Sequence, residues 1–295
     1  MYYVIRPIFY IISYLPWKIL YLISDILNFI VFTVLSYRKK IIRSNLQIAF
    51  PNKSLSELEI IEKDFYRNFI DNFIETIKFL TISDADIKKR VQTQWEHENW
   101  FENQNQPTVI LMGHLMNWEL ISLVFGTKIP YPSLTVYMHL SNKFFDRLMI
   151  EIRSKRKLIL LRTENFSKEF LKYRRANFTL ALAADQNPPN PQDCLWLDFF
   201  GQKLPFTSGP EQISTIYNAR VLYLQVTKVK RGFYETSLKC ITTHARNENK
   251  MEITKKYISC IEENIAINPA NYLWTHNRFK YRWEDFKDKF VTFAL

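Results

Sequence analysis

Glycine is scarce in this chain, with five residues in 295. A loop that cradles phosphates with its backbone needs several, and neither a G-x-G-x-x-G nor a Walker-type stretch occurs, so a dinucleotide or P-loop site is excluded. Cysteine is scarcer still: Cys194, Cys240 and Cys260 stand far apart without C-x-x-C spacing. That pattern is neither a disulfide framework nor a zinc cluster, and it suits a reducing compartment. His97, His114, His139, His244 and His276 show no H-E-x-x-H or comparable ligand spacing, so no metal is expected. What the chain has instead is apolar and aromatic bulk, 47 % hydrophobic and 16 % aromatic with 23 Phe and 16 Tyr, which excludes disorder. Its length allows one large α/β domain or two small ones with a substantial core.

Acidic residues are outnumbered, and the formal net charge is +11. A basic surface can meet nucleic acid, anionic lipid or an acidic protein, or can simply be solvated. No nucleic-acid motif accompanies the charge, and no nucleic-acid partner is expected.

The N-terminus points to lipid. Residues 8–37 carry only Lys18 and Asp25 as charged groups. The uninterrupted part after Asp25 is shorter than the roughly 20 residues needed to span a bilayer. Ile19 to Tyr37 together reach that length at the cost of one buried carboxylate. No basic n-region or small-residue cleavage site marks a signal peptide. Arg38, Lys39, Lys40 and Arg43 follow directly, and such a cluster stays cytoplasmic and attracts anionic headgroups. The expected partition is a membrane anchor over residues 1–37 and a cytoplasmic domain over 38–295. Three placements remain open for the anchor: spanning, lying in the interface, or packing on the domain as a helical hairpin.

Beyond it, Ser54 and Glu57 have capping-box spacing, and Leu58, Ile61, Phe65, Phe69, Phe73 and Ile77 recur at helical intervals, which predicts a helix from Ser54 to Leu80. From residue 107 short apolar runs alternate with amphipathic stretches. Strands are expected at Thr108–Met112, Leu134–Met138, Leu158–Leu161, Thr179–Ala183, Val221–Thr227 and Tyr234–Lys239. Helices are expected at Asn117–Phe125, Lys143–Arg153, Ser167–Arg174, Glu211–Tyr217 and Asn249–Asn264. Such alternation implies an α/β fold with a central, mostly parallel sheet flanked by helices. Ser208 and Glu211 have a second capping-box spacing.

Gly113-His114 follows the apolar run Val109–Met112, with the next helix expected to start near Met116. Sites in open α/β sheets collect at the carboxyl ends of strands. His114 suits a base near neutral pH, and Glu119, one helical turn in, could hold its imidazole. On the residues alone an equal reading stands beside this one: a strand-end histidine with a backbone hydrogen bond, and a glutamate favoured by the helix dipole.

The segment Gly113-His114-Leu115-Met116-Asn117-Trp118-Glu119 resembles the H-x4-D/E motif of the glycerolipid acyltransferase superfamily and, more closely, that of the bacterial lipid A late acyltransferases. Four further segments match that family in its order. They are Arg43–Leu46 with Ala49–Pro51; Ala184-Asp185-Gln186-Asn187-Pro188; Phe199-Phe200-Gly201 with Thr207–Pro210; and Tyr272–Lys280. The resemblance covers roughly residues 38–283.

It implies an enzyme that moves a fatty acyl chain from an acyl thioester, usually on acyl carrier protein, to a hydroxyl of lipid A or its precursor at the bacterial inner membrane. The thioester is a co-substrate and no cofactor is implied. His114 would be the general base and Glu119 its orienting partner. Arg153 would stabilise the oxyanion, with Arg147 as runner-up. Asn117, Asp185, Gln186, Thr207, Gly209, Arg278 and Lys280 are the candidates for substrate contact. The family often reads Tyr-Arg-Pro where this chain has Tyr137-Met138-His139, so His139 either replaces a headgroup-binding arginine or is a surface histidine. The basic surface would steer the acidic carrier and favour an anionic membrane. Two alternatives stay open: acylation of another lipid (aminolipid, lysophospholipid or glycolipid), and a non-catalytic lipid-binding protein on the same fold.

Overall fold

The computed structural model describes residues 2–95, 101, 106–129 and 132–287; His97 lies outside them. The chain begins with two helices, α1 (Tyr2–Tyr14) and α2 (Trp17–Phe29), the second prolonged by a π-helical turn at Ile30–Val34. Helix α3 (Lys39–Ala49) leads to the long α4 (Leu55–Lys78), which opens with the expected capping box: Glu57 N–H donates to the Ser54 hydroxyl and Ser54 N–H to the Glu57 carboxylate. Helix α5 (Asp84–Arg90) and strand β1 (Val91–Gln94) follow.

The α/β alternation then runs β2 (Thr108–Met112), α6 (Leu120–Lys128), β3 (Ser133–Tyr137), α7 (Lys143–Ser154), β4 (Ile159–Arg162), α8 (Phe166–Phe170) and β5 (Thr179–Ala183). A hairpin of β6 (Leu195–Phe199) and β7 (Gln202–Phe206) leads to α9 (Gly209–Ile216), and β8 (Arg220–Lys230), β9 (Phe233–Thr242) and α10 (Glu252–Ile267) complete the order. The main sheet has seven strands ordered β1-β9-β8-β2-β5-β3-β4. All its pairings are parallel except β8 with β9, so the fold is the expected α/β class.

Both faces of the sheet are covered, which is why its central strands read as continuous apolar runs. Val109, Leu111, Leu180, Val221 and Tyr223 pack with α3, α4 and α10, whereas Ile110, Met112, Ala181, Leu222 and Leu224 pack with α6 and α7. Three expectations are corrected, and one element was missed. The helix after His114 starts at Leu120, not Met116. Phe73 is half exposed, because the buried side of α4 also carries Glu62, Asp71, Asn72 and Glu75. Ser208 makes no side-chain cap, because Glu211 turns away to accept from Met251 N–H and Thr254 N–H at the start of α10. The β6–β7 hairpin went unread: Phe200 and Gly201, with φ of 49° and 70°, make a two-residue turn of the kind that matches strand twist.

Helices α1 and α2 pack along α4, and α1 also meets α7, through polar contacts as well as apolar ones. Arg6 pairs with Glu151 at 2.6 Å, the Tyr21 hydroxyl donates to Glu75 at 3.0 Å, and the Ser24 hydroxyl donates to Asp71 at 2.7 Å. Arg231 in the β8–β9 turn bridges Asp25 at 2.8 Å and Asp71 at 2.7 Å. The adjoining Gly232 has φ +72°, and a Cβ there would lie 1.9 Å from the Tyr21 hydroxyl. Outward, Ile8, Ile11, Tyr14, Ile19, Leu22, Ile26, Phe29 and Val34 stay exposed. Trp17–Val34 is long and apolar enough to cross a membrane, with 11 % of it buried against the protein.

Candidate active site

Strands β2 and β5 run parallel with Met112 beside Ala183, and each chain continues two residues past that register. His114 and Asp185 therefore emerge side by side at the carboxyl edge of the sheet. Asp185 is 1 % exposed, and its Oδ1 lies 2.6 Å from His114 Nδ1 while its Oδ2 accepts from His114 N–H at 3.0 Å. The floor is fixed from below: the Tyr257 hydroxyl donates to Met112 O at 2.7 Å and accepts from Ala184 N–H at 3.1 Å, locking the two strand ends together.

Glu119 does not hold the imidazole, which corrects the sequence expectation. The helix begins at Leu120 rather than near Met116, so Glu119 stands at its N-cap instead of one turn in, and its carboxylate points to α7 and takes both Nε (2.8 Å) and Nη2 (2.5 Å) of Arg153. Trp118 donates its indole N–H to the same carboxylate at 2.9 Å, and its ring stands 5.7 Å from that of His114. The site thus holds two acid–base pairs, His114–Asp185 and Arg153–Glu119. A fifth of the His114 side chain is open to solvent, and Nε2 has no hydrogen-bond partner among the described residues.

Burial alone would lower the His114 pKa, but the adjoining Asp185 carboxylate, with a further contribution from Glu119, raises it above imidazole's usual value. Burial would raise Asp185, yet the His114 charge and hydrogen bonds hold it down to about 2. A base must be neutral to accept a proton. Catalysis through His114 should therefore rise with pH through an inflection above the ordinary value of about 6.5. Replacing Asp185 by Asn should move that inflection to lower pH; a pH–rate profile that is flat, or that Asp185→Asn leaves in place, would refute the assignment.

The remaining candidates divide. Asn117 is fully buried and accepts from Glu119 N–H while donating to Glu75, so it braces the turn. Arg278, expected to bind a headgroup, is 1 % exposed: it donates to Asn187 Oδ1 and Pro205 O and lies over the Phe206 ring, so its charge is spent inside the protein. Lys280 is exposed and rests over Tyr281, and Arg147 lies on the outer side of α7. Gln186 is half-buried beside Asp185, and Thr207 and Gly209 are exposed at the start of α9. His139 is a surface histidine held by Asp146 at 2.8 Å.

Several residues escaped the sequence reading. Asn271 accepts from Met116 N–H through its carbonyl and donates to Met116 O through its amide, both at 2.8 Å, and Leu273 N–H donates to His114 O. Asn45 donates to Trp274 O and His276 O, tying α3 to the same C-terminal segment. His276, lowered to about 4 by burial, accepts from Asn187 N–H. Asn45 and His276 lie within the matched segments Arg43–Leu46 and Tyr272–Lys280, which was the signal available for them.

A histidine set on a buried carboxylate, with a carboxylate-clamped arginine nearby, has the residue types and pairing that general-base chemistry beside a developing anion would need. The sequence model of the bacterial lipid A biosynthesis acyltransferases matches residues 2–281. The chain belongs to this family and is an acyltransferase. It is 24 % identical over 248 residues to the lipid A biosynthesis acyltransferase of Haemophilus influenzae, covering 83 % of this chain and 78 % of that one. Against the lipid A biosynthesis palmitoleoyltransferase of Escherichia coli K12 the identity is 23 % over 273 residues, covering 91 % and 87 %. The crystal structure of a 1-acyl-sn-glycerophosphate acyltransferase, PlsC, from Thermotoga maritima superposes with a TM-score of 0.38 at 10 % identity over 83 % of this chain and 95 % of that one, too distant to bear on fold or chemistry.

Proposed function

We propose that the chain transfers a fatty acyl group from a thioester, with acyl carrier protein as donor, to a hydroxyl of lipid A or its precursor on the cytoplasmic face of the inner membrane. The observation that carries this reading is the 2.6 Å contact of His114 Nδ1 with buried Asp185, which leaves Nε2 as the free base. Nε2 takes the proton of the acceptor hydroxyl as its oxygen bonds to the thioester carbonyl carbon, and the carbonyl electron pair moves onto oxygen. Collapse of this intermediate breaks the C–S bond, and the proton on His114 passes to the leaving thiolate. Asp185 offsets the imidazolium charge, as a carboxylate does in hydrolase triads. Arg153, aimed by Glu119, stabilises the oxyanion; one well-placed donor is worth about 3–4 kcal/mol. No covalent enzyme intermediate and no cofactor is needed.

Residues 1–37 anchor the enzyme with α1 and α2 lying in the interface. Spanning would pull Asp25, Ser24 and Tyr21 off their partners on the domain, whereas lying flat presents the exposed apolar stripe to lipid and the Arg38–Arg43 cluster to anionic headgroups. The test is mass spectrometry of membrane lipids from cells with and without the protein. A lipid A species heavier by one acyl chain should depend on it. A change confined to phospholipid or aminolipid would move the acceptor, and no change in any lipid would sink the reading.

A further inference from the structure

Glu75 is a buried carboxylate that the reaction above leaves unused. It sits on α4 with 1 % of its surface exposed. Among the described residues its hydrogen-bond partners are all neutral. The Tyr21 hydroxyl donates to Oε1 at 3.0 Å, and the Tyr234 hydroxyl (2.7 Å) and the Asn117 amide (3.2 Å) donate to Oε2. Burying an acid without a cation against it is costly, and a residue needed there only for bulk would be apolar. What the acid adds is acceptor capacity where α2, β9 and the catalytic turn converge.

The turn from His114 to Glu119 is held in two halves. Asp185 fixes His114, and Asn271 grips Met116. Past Met116, hydrogen bonds from outside the turn and α6 reach it at two points among the described residues: Glu75 at Asn117 and Arg153 at Glu119. Asn117 is fully buried and spends its other side-chain atom, Oδ1, on Glu119 N–H at 3.0 Å. An amide has one donor end and one acceptor end, so the Glu75 acceptor decides which way Asn117 is turned. Asn117 then sets where Glu119 leaves the turn, and the Glu119 carboxylate takes Arg153 through Nε and Nη2. Two hydrogen-bonded residues therefore separate Glu75 from the guanidinium. In a reacting site a misplacement of about 1 Å can cost roughly a hundredfold in rate, so an error passed along so short a path is felt.

We propose that Glu75 is a positioning residue for acyl transfer: by holding Asn117 it aims Glu119, and through Glu119 the Arg153 guanidinium, at the reacting carbonyl. The assignment rests on the oxyanion role given to Arg153 above. Glu75 itself touches neither substrate.

The test is steady-state transfer by the full-length protein in neutral detergent, from an acyl carrier protein thioester to a lipid A precursor, read as kcat and KM, with urea unfolding alongside. Glu75→Met should lower kcat about tenfold and leave KM within about twofold. Added to Glu119→Gln it should cost less than about a further twofold, because both changes act on the same guanidinium. Asn117→Asp strains the same link without emptying it. Two carboxylates would then face each other across 3.2 Å, and kcat should again fall about tenfold. Adding Glu75→Gln, whose amide donates to the new carboxylate, should bring kcat back to within about threefold of wild type. This swap decides the matter where Glu75→Met lowers the yield of folded protein. Absence of that rescue, a loss that falls on KM, or a loss that multiplies with that of Glu119→Gln would leave Glu75 holding the fold alone and overturn the proposal. A wild-type kcat in Glu75→Met, with Glu119→Gln impaired, overturns it too and leaves the reaction standing. If Glu119→Gln itself turns over like wild type, the oxyanion role of Arg153 falls and the role of Glu75 falls with it.

Discussion

His114→Ala should lower acyl transfer at least about 10^3-fold with folding intact, since general-base catalysis contributes up to roughly 10^4-fold. Asp185→Asn should cost on the order of 10^2- to 10^4-fold, because the amide can neither fix the Nδ1–H tautomer nor offset the imidazolium. Glu119→Gln is the discriminating variant. Its carboxylate grips Arg153 through two hydrogen bonds and does not touch His114. Its loss should be about tenfold to a hundredfold, and Arg153→Ala added to it should cost little more, because the two act as one unit. The measurements are single-turnover rates with a thioester donor. If Glu119→Gln abolished transfer while Asp185→Asn left it near wild type, Glu119 would be the orienting carboxylate after all.

Asp71→Ala should be the most damaging substitution for stability. Asp71 is fully buried and receives the Ser24 hydroxyl, Arg231 through Nε and Nη2, and Lys228 at 3.4 Å. Removing one partner of such a cluster strands the others, at a cost of about 3–5 kcal/mol. Lys228 is the sharpest case, with 9 % of its side chain exposed and, among the described residues, only Asn68 left as a hydrogen-bond acceptor. Adding Lys228→Met should recover part of the loss, since the stranded charge goes with it. Lys63→Ala, on the exposed side of α4, should change stability by less than about 0.5 kcal/mol. Urea unfolding in detergent measures all three, and a loss under about 1 kcal/mol for Asp71→Ala would show that the cluster is dispensable. The cluster also helps to tie α2 to the domain, beside the Tyr21–Glu75 hydrogen bond, so the same variant should loosen the N-terminal helices first.

Much of the scaffold was legible because it obeys local rules. Thr108–Met112 and Thr179–Ala183 are strands at the expected bounds, since each is a short apolar run destined for a sheet buried on both faces. The Ser54 capping box formed because both partners lie within one turn. The similar spacing at Ser208 and Glu211 failed because Met251 and Thr254, forty residues on, compete for the same carboxylate. Spacing gives reach, and packing decides which partner wins.

The acyltransferase motif shows the same division. The sequence by itself determined the family and the place of His114 after an apolar strand, since those depend on residue type and order along the chain. Which carboxylate His114 would find was decided only by the pairing of β2 with β5, seventy-one residues apart, which sets His114 beside Asp185 in register. Arg278 and Asn117 were drawn inward in the same way: two guanidinium nitrogens of Arg278 donate to Asn187 and Pro205, and the Asn117 amide donates to Glu75, all remote in sequence. Hydrogen-bond partners across a sheet are fixed by strand order and register, and neither is written in any local stretch of the chain.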